Sequence, residues 1–85
     1  MSARRAARVQ LFSKPGCHLC DEARAVIAAV TADLGERFEE VNILDDPALR
    51  EQYGELIPVT MVDGAQHDYW RVQEGRLRAA LRPDR

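Results

Sequence analysis

The segment VQLFSKPGCHLCDEARAVIAAVTADLG, residues 9–35, decides the fold. It opens with a short apolar stretch that indicates a strand over residues 8–13, and the following Pro-Gly pair breaks the regular backbone. The apolar residues of the next stretch recur at the spacing of one helical face; they are Leu19, Ala23, Val26, Ile27, Val30 and Leu34. Gly35 then stands at the position typical of a helix C-cap. The segment therefore predicts a strand, a sharp turn and a long amphipathic helix that begins at a cysteine pair.

The remainder of the chain predicts a short helix, a closing hairpin and a last helix. Strands are expected over residues 38–44, 58–62 and 66–71, and helices over residues 48–53 and 74–81. Asp46-Pro47 is typical of a capped helix start, and Asp63-Gly64 of a tight hairpin turn. A strand–helix–strand unit favours a right-handed crossover and a parallel strand pair. The predicted order β-α-β-α-β-β-α is therefore an α/β fold in which helices flank a four-stranded mixed sheet.

Composition is that of an ordinary globular domain. Apolar residues make up 46% of the 85 residues and charged residues 31%, which suffices for one covered core. We expect one domain over residues 1–85, with residues 1–7 as a flexible basic N-terminus. The net charge of −2 argues against a general nucleic-acid partner, and the longest uncharged stretch, residues 25–32, is too short to span a membrane. The N-terminus has no apolar export signal, so we expect a cytoplasmic protein.

Cys17 and Cys20 carry the chemistry that the sequence indicates. A helix N-terminus stabilises an anion, so a thiol on the first turn has a lowered pKa. Spacing i to i+3 places both sulfurs on one helical face, where a disulfide can form and reopen. Cys17 lies nearer the open helix end and is predicted to be the attacking nucleophile, with Cys20 as the resolving thiol. Lys14 and, when protonated, His18 are expected to favour the Cys17 thiolate.

A further pair of charges follows the cysteines on the predicted helix. Asp21 lies one turn on from Cys17 and opposes ionisation of its thiol. Arg24, three residues beyond Asp21, is placed to neutralise that acid. We expect a net lowering of the Cys17 pKa, because the helix dipole and the cations act at shorter range.

Metal binding is the rival interpretation of two cysteines at this spacing. Structural zinc takes four ligands, and the further candidates are only His18, inside the motif, and His67, interpreted as an exposed strand residue. No metal site is therefore predicted. A soft-metal or iron-sulfur carrier that uses the same two cysteines without redox turnover remains the alternative. Tyr69 and Trp70 are interpreted as core or edge packing residues.

The chain resembles the glutaredoxin-like members of the thioredoxin-fold superfamily over nearly its whole length after residue 7. The stretches that carry the resemblance are VQLFSKPGCHLC (9–20), VNILDDP (41–47), and IPV (57–59) followed by VDG (62–64). The resemblance implies a thioredoxin fold in which the Ile57-Pro58 bond is cis. It implies that Pro58 packs beside the sulfurs and that the backbone of Ile57 pairs with substrate. Lys14 matches a lysine that glutaredoxins often use to bind a glutathione carboxylate.

The function that the resemblance implies is that of a small thiol–disulfide oxidoreductase. It would reduce or exchange disulfides of proteins or small molecules through a mixed disulfide, with no tightly bound cofactor besides the Cys17–Cys20 disulfide. A low-molecular-weight thiol (glutathione or another) or a flavin reductase would recycle it. Two departures from the family pattern matter, the first for the redox potential and the second for the donor. His18-Leu19 replaces the common Pro-Tyr between the cysteines, and residues 69–74 read YWRVQE where the family has a Gly-Gly-x-Asp glutathione loop. The identity of the donor therefore stays open.

Overall fold

The computed structural model describes residues 7–82 and contains, within them, the predicted order of four strands and three α-helices. The strands are β1 (Val9–Ser13), β2 (Phe38–Asn42), β3 (Val59–Val62) and β4 (Ala65–Tyr69). The helices are α1 (His18–Leu34), α2 (Pro47–Tyr53) and α3 (Glu74–Leu81), and a 3-10 turn spans Ile43–Asp45. The flexible terminus expected over residues 1–7 falls, except for residue 7, outside the described residues.

The strands form one mixed sheet in the order β2-β1-β3-β4. β1 and β2 are parallel, as the crossover through α1 predicts, whereas β3 is antiparallel to both β1 and β4. The α/β class with a four-stranded mixed sheet is thereby confirmed. The antiparallel register pairs Phe12 with Val59, so the chain just before β3 lies beside the end of β1 and the cysteine loop that follows it.

Helices cover both faces of the sheet because successive strand side chains point to opposite sides. α1 and α3 complete one core, whose buried members are Val9, Leu11, Ala23, Ile27, Val30, Val62, Leu77 and Leu81. On the other face, α2 packs against a smaller cluster of Phe12, Ile43 and Val59. The rings of Phe12 and Tyr53 have centroids 5.1 Å apart. The sheet is therefore held from both sides directly beneath the cysteine loop.

Helix α1 buries most of the face that its apolar spacing predicts. Ala23, Ile27 and Val30 are all at most 2% exposed, and the helix ends where Gly35 adopts φ 71°, a left-handed conformation that glycine takes without steric cost. Leu34, expected on the same face, is 40% exposed in the last turn. At 17 residues α1 is the longest helix described, and no helix within residues 7–82 has the length and apolarity to cross a membrane.

Two strands end earlier than their sequence patterns predict. β2 ends at Asn42 rather than at residue 44, because the Asn42 Oδ1 atom accepts a hydrogen bond from the Leu44 N–H at 2.9 Å and turns the backbone into the 3-10 segment. β4 ends at Tyr69 rather than at residue 71. Trp70 has φ 66°, and a left-handed residue cannot continue a strand.

The predicted turn and cap residues have the expected geometry. The Asp46 side chain accepts hydrogen bonds from the N–H groups of Ala48 and Leu49, which is the N-cap arrangement at the start of α2. Asp63 and Gly64 have φ values of 52° and 85°, the two positive values of the mirror-image turn that suits a hairpin. Local chemistry therefore sets these two points of the chain.

Candidate functional site

Cys17 and Cys20 are joined by a disulfide at the N-terminus of α1. Cys17 is the N-cap residue, and its Sγ atom accepts a hydrogen bond from the Cys20 N–H at 3.2 Å. The two Cα atoms are 5.2 Å apart. Cys20 is completely buried, whereas Cys17 is half-buried. The two cysteines thus share a helical face and differ in access in the direction that the sequence predicts.

A cis Ile57-Pro58 bond precedes β3, as the resemblance implies. Pro58 is fully buried, and Ile57 is half-buried against the second core. The Pro58 carbonyl accepts a hydrogen bond from the Trp70 N–H at 2.7 Å. Because Val59 pairs with Phe12 at the end of β1, the sheet register brings the proline to the loop that leads into Cys17.

Lys14 and His18 flank the cysteine pair on the surface. Lys14 is exposed and lines a polar cavity of about 410 Å³ at the carboxyl ends of β1 and β2. The His18 side chain is 87% exposed, and its Nε2 atom lies 3.5 Å from a carboxylate oxygen of Glu22. Both residues are close to the cysteines along the chain, and their effect on the Cys17 thiolate stays a prediction.

A charged network fixes the first turns of α1 to the sheet. The Arg24 guanidinium donates to Asp21 at 2.8 Å, as the spacing of the two residues predicts, and also makes two hydrogen bonds to Glu40 of β2. The hydroxyl of buried Ser13 donates to the same Glu40 carboxylate at 2.6 Å. Glu40 and Ser13 carry no sequence signal for this role, because only the pairing of β1 with β2 brings them to Arg24.

The electrostatics of this network favour the ionised carboxylate. Hydrogen bonds from Arg24 lower the pKa of Glu40 below its ordinary value, partial burial opposes the shift, and the Ser13 hydroxyl adds to the lowering. Hydrogen bonds to Glu40 and to Asp21 raise the pKa of Arg24. Asp21 therefore faces a permanently charged guanidinium, and its repulsion of a neighbouring thiolate is reduced.

A groove of about 260 Å³ runs along the other flank of α1. Leu19, which lies between the cysteines, and Val26 form its helical wall, and residues 70–73 form the opposite wall. A guanidinium nitrogen of Arg71 lies 3.8 Å from Glu22 across the groove. No pattern in the sequence indicates this groove. One of its walls consists of residues 70–73, which leave the sheet because β4 ends at Tyr69.

Tyr69 and Trp70, interpreted as core or edge packing residues, lie on the surface at the end of the edge strand β4. They are 46% and 51% exposed, and their rings pack edge to face with centroids 5.0 Å apart. The Trp70 indole N–H donates to the Glu55 carbonyl at 3.2 Å. This bond holds the indole against the loop that leads to the cis-proline.

The histidines do not join the cysteines in a metal site. Within residues 7–82 no group of three or more His, Cys, Asp or Glu side chains is placed to hold a metal ion. His67, expected to be exposed, is half-buried with its Nε2 atom unpaired. A register shift at Thr60/Met61 leaves His67 as the extra residue of a bulge in β4.

This sheet order, with a disulfide at the start of the first helix and a cis-proline before the third strand, is the thioredoxin fold. Solved structures support that class. The chain superposes on thioredoxin 1 of Thermosipho africanus with a TM-score of 0.61 at 10% identity, covering 86% of this chain and 88% of that one. An identity this low supports the fold and nothing finer.

Sequence comparison places the chain more narrowly. It belongs to the glutaredoxin-like domain family (DUF836), whose model matches residues 8–82. The X-ray structure of protein XcR50 from X. campestris is 36% identical, with a TM-score of 0.71, and the match covers 86% of this chain and 93% of that one. The uncharacterized protein Rv0508 of Mycobacterium tuberculosis is 32% identical over 79 residues, 87% of this chain and 81% of the relative.

Proposed function

We propose that the protein is a thiol–disulfide oxidoreductase that uses Cys17 and Cys20. The observation that carries the proposal is the asymmetric disulfide at a helix N-terminus, with Cys17 half-buried as the N-cap and Cys20 fully buried. A thiolate at position 17 would receive the Cys20 N–H bond and the positive end of the helix dipole. Membership of the glutaredoxin-like family supports the same chemistry.

The reaction starts from the reduced pair. The Cys17 thiolate attacks one sulfur of a substrate disulfide, the substrate S–S bond breaks, and one substrate half leaves as a thiolate that takes up a proton. Cys20 then loses its proton and attacks the Cys17 Sγ atom, which releases the second half as a thiol. Two electrons pass from the protein to the substrate, and the Cys17–Cys20 disulfide remains.

The neighbouring residues support these steps in our proposal. Lys14 and protonated His18 add positive charge near the nucleophile. The half-buried Ile57 presents its backbone to the substrate beside the sulfurs, and the fully buried cis Pro58 holds that backbone in place where β3 begins. The oxidised pair is returned to the dithiol by a low-molecular-weight thiol, glutathione or another, or by a flavin reductase.

A trapping experiment tests the proposed roles. In Cys20→Ser the second step is blocked, so incubation with disulfide substrates should leave a stable mixed disulfide on Cys17, detected as added mass that a reductant removes. Cys17→Ser is the matched control and should capture nothing, because the remaining thiol is buried. Capture by Cys17→Ser alone would reverse the roles of the two cysteines.

The redox potential of the wild-type pair tests the function itself. The protein is equilibrated in graded thiol–disulfide buffers, and its mobility is followed after thiol alkylation. We expect a reversible two-electron transition at a potential between about −120 and −270 mV, the span of known redox domains. If no reversible disulfide forms at any buffer potential, the proposal is refuted. The metal content of the purified protein and of its cysteine variants would then be measured.

A further inference from the structure

Trp70 has a backbone conformation that its residue type disfavours. Its φ of 66° lies in the left-handed region, where a bulky residue other than glycine is an outlier. Two hydrogen bonds hold it there, from its backbone N–H to Pro58 and from its indole N–H to Glu55. Strained backbone of this kind is concentrated at functional sites, where the surrounding structure maintains it. In this conformation the Trp70 indole is half exposed and is held next to the segment that contains the cis-proline.

The groove that Trp70 lines begins beside the turn that carries the cysteines. Leu19 is part of its wall and lies between Cys17 and Cys20, and Val26 and Val72 extend the apolar lining away from them. A side chain that precedes or follows a substrate cysteine would therefore enter the groove when that cysteine is bonded to Cys17.

The charges at the groove cancel. Glu22 and Arg71 lie opposite each other at 3.8 Å, so the groove offers no excess of positive charge. Glutathione carries two carboxylates and one ammonium group, and its cysteine is flanked by a γ-linked glutamate and a glycine. It would place charge, and no apolar side chain, against Leu19 and Trp70. A neutral apolar side chain of a polypeptide complements the apolar part of this mixed lining, formed by Leu19, Val26, Trp70 and Val72, and leaves the Glu22–Arg71 pair intact.

We propose that Trp70 is a specificity-determining residue that selects polypeptide disulfides with an apolar side chain next to the reacting cysteine, in preference to glutathione disulfide. The selection rests on the proposed function, since the ligand is held through a mixed disulfide with Cys17. The Trp70 indole and Leu19 cover the apolar side chain of the substrate. Glutathione has no such side chain, so its adduct leaves the indole exposed to water.

The exchange equilibrium on the Cys20→Ser variant measures this preference without turnover. Cys17 is first loaded with glutathione, and a hexapeptide with one cysteine and a neighbouring leucine is then titrated against free glutathione. We expect the leucine peptide to be favoured over a matched serine peptide by about tenfold, the factor for moving on the order of 60 Å² of apolar surface out of water. Because Trp70 is the only tryptophan, its emission should shift to the blue with the leucine peptide and less with glutathione.

Three substitutions in the same background locate the effect. Trp70→Gly suits the left-handed backbone and should reduce the tenfold preference to about twofold, the remainder that contacts with Leu19 supply. Trp70→Phe keeps a ring and should keep most of the preference. Leu34→Ser removes a similarly exposed apolar side chain at the far end of α1 and should leave the preference unchanged.

The outcomes separate the two proposals. An equal preference in the parent protein and in its Trp70→Gly variant, each verified as folded by circular dichroism, would overturn the role of Trp70. So would a glutathione adduct more stable than the leucine-peptide adduct in the parent protein. Either result would leave thiol–disulfide exchange standing if the intact dithiol form reduces the peptide disulfide. Failure of the intact form to reduce any disulfide would refute the proposed function, and the substrate selection with it.

Discussion

The Cys17 thiol should ionise more readily than a free thiol, and one substitution makes this measurable. Cys20→Ser leaves a single thiol in the reduced protein and keeps the backbone N–H that now donates to the Cys17 Sγ atom at 3.2 Å. We expect the pKa of Cys17 in this variant to lie clearly below the value of about 8.5 for a free thiol.

The size of the effect follows from two contacts. A hydrogen bond to a charged acceptor contributes about 1.5–3 kcal/mol, and the N-terminal end of a helix contributes about 0.3–1 kcal/mol to a partly exposed anion. Half-burial of Cys17 costs the thiolate part of this gain. A net stabilisation of about 2 kcal/mol corresponds to roughly thirtyfold more thiolate at a pH below both values. Asp21 opposes this only weakly, because Arg24 holds its carboxylate at 2.8 Å.

Thiolate absorbance near 240 nm during a pH titration is the assay, with Cys17→Ser as the blank for other absorbing groups. Adding Arg24→Ala to the Cys20→Ser protein frees Asp21 and should raise the Cys17 pKa. A further Asp21→Asn change should cancel that rise. A midpoint at or above the free-thiol value would refute the reasoning, and a rise that persists without Asp21 would assign it to movement of the helix instead of charge.

Three other substitutions probe the scaffold in urea unfolding. Ile27→Ala should cost about 3 kcal/mol, because it empties fully buried volume between α1 and the sheet; a loss as small as that of exposed Leu34→Ala would contradict this packing. Asp46→Ala should cost about 1 kcal/mol through loss of the α2 N-cap, and Asp46→Asn should recover most of it. Glu40→Gln should cost about 1 kcal/mol at neutral pH after allowance for solvent screening. Since Arg24 lowers the pKa of folded Glu40 below its ordinary 4.5, the difference from wild type should shrink as the pH falls below 4.5, and a constant difference would remove the ion pair as its cause.

The parts of the fold that sequence predicts well are those that local chemistry decides. The α1 face, its Gly35 cap, the Asp46 cap and the Asp63-Gly64 turn each depend on a few consecutive residues, and each is found where its pattern predicts. The early end of β2 is also local, since the Asn42 side chain captures a backbone N–H two residues on. The alternating pattern of a strand does not show where the strand ends, because it takes no account of side-chain hydrogen bonds that compete for the backbone.

The same distinction between local and long-range contacts applies to the residues of the candidate site. Cys17 and Cys20 are predictable because one helical turn contains both and the helix start supplies the electrostatics. The Arg24–Glu40–Ser13 network is not, because it depends on the register of β1 against β2. The bulge at His67 likewise arises from the pairing of β3 with β4, and neither strand alone carries a sign of it. The left-handed Trp70 runs against its residue preference, so only the surrounding structure can specify it.

In our two proposals, reactivity and substrate selection depend on separate stretches of the chain. The Cys17 thiolate depends on the start of α1 and on the charges of Lys14, His18, Asp21 and Arg24, so a change at Trp70 should leave its ionisation nearly untouched. Selection depends on the end of β4, which the sheet brings to the cis-proline through the bond between the Trp70 N–H and the Pro58 carbonyl. A chain that keeps the cysteine turn can consequently change its substrates by altering the residues after β4. We propose that the Trp70 indole, standing where the resemblance implies a glycine-rich loop, is such an alteration, because it would leave the sulfur chemistry in place and change the surface that a substrate must fit.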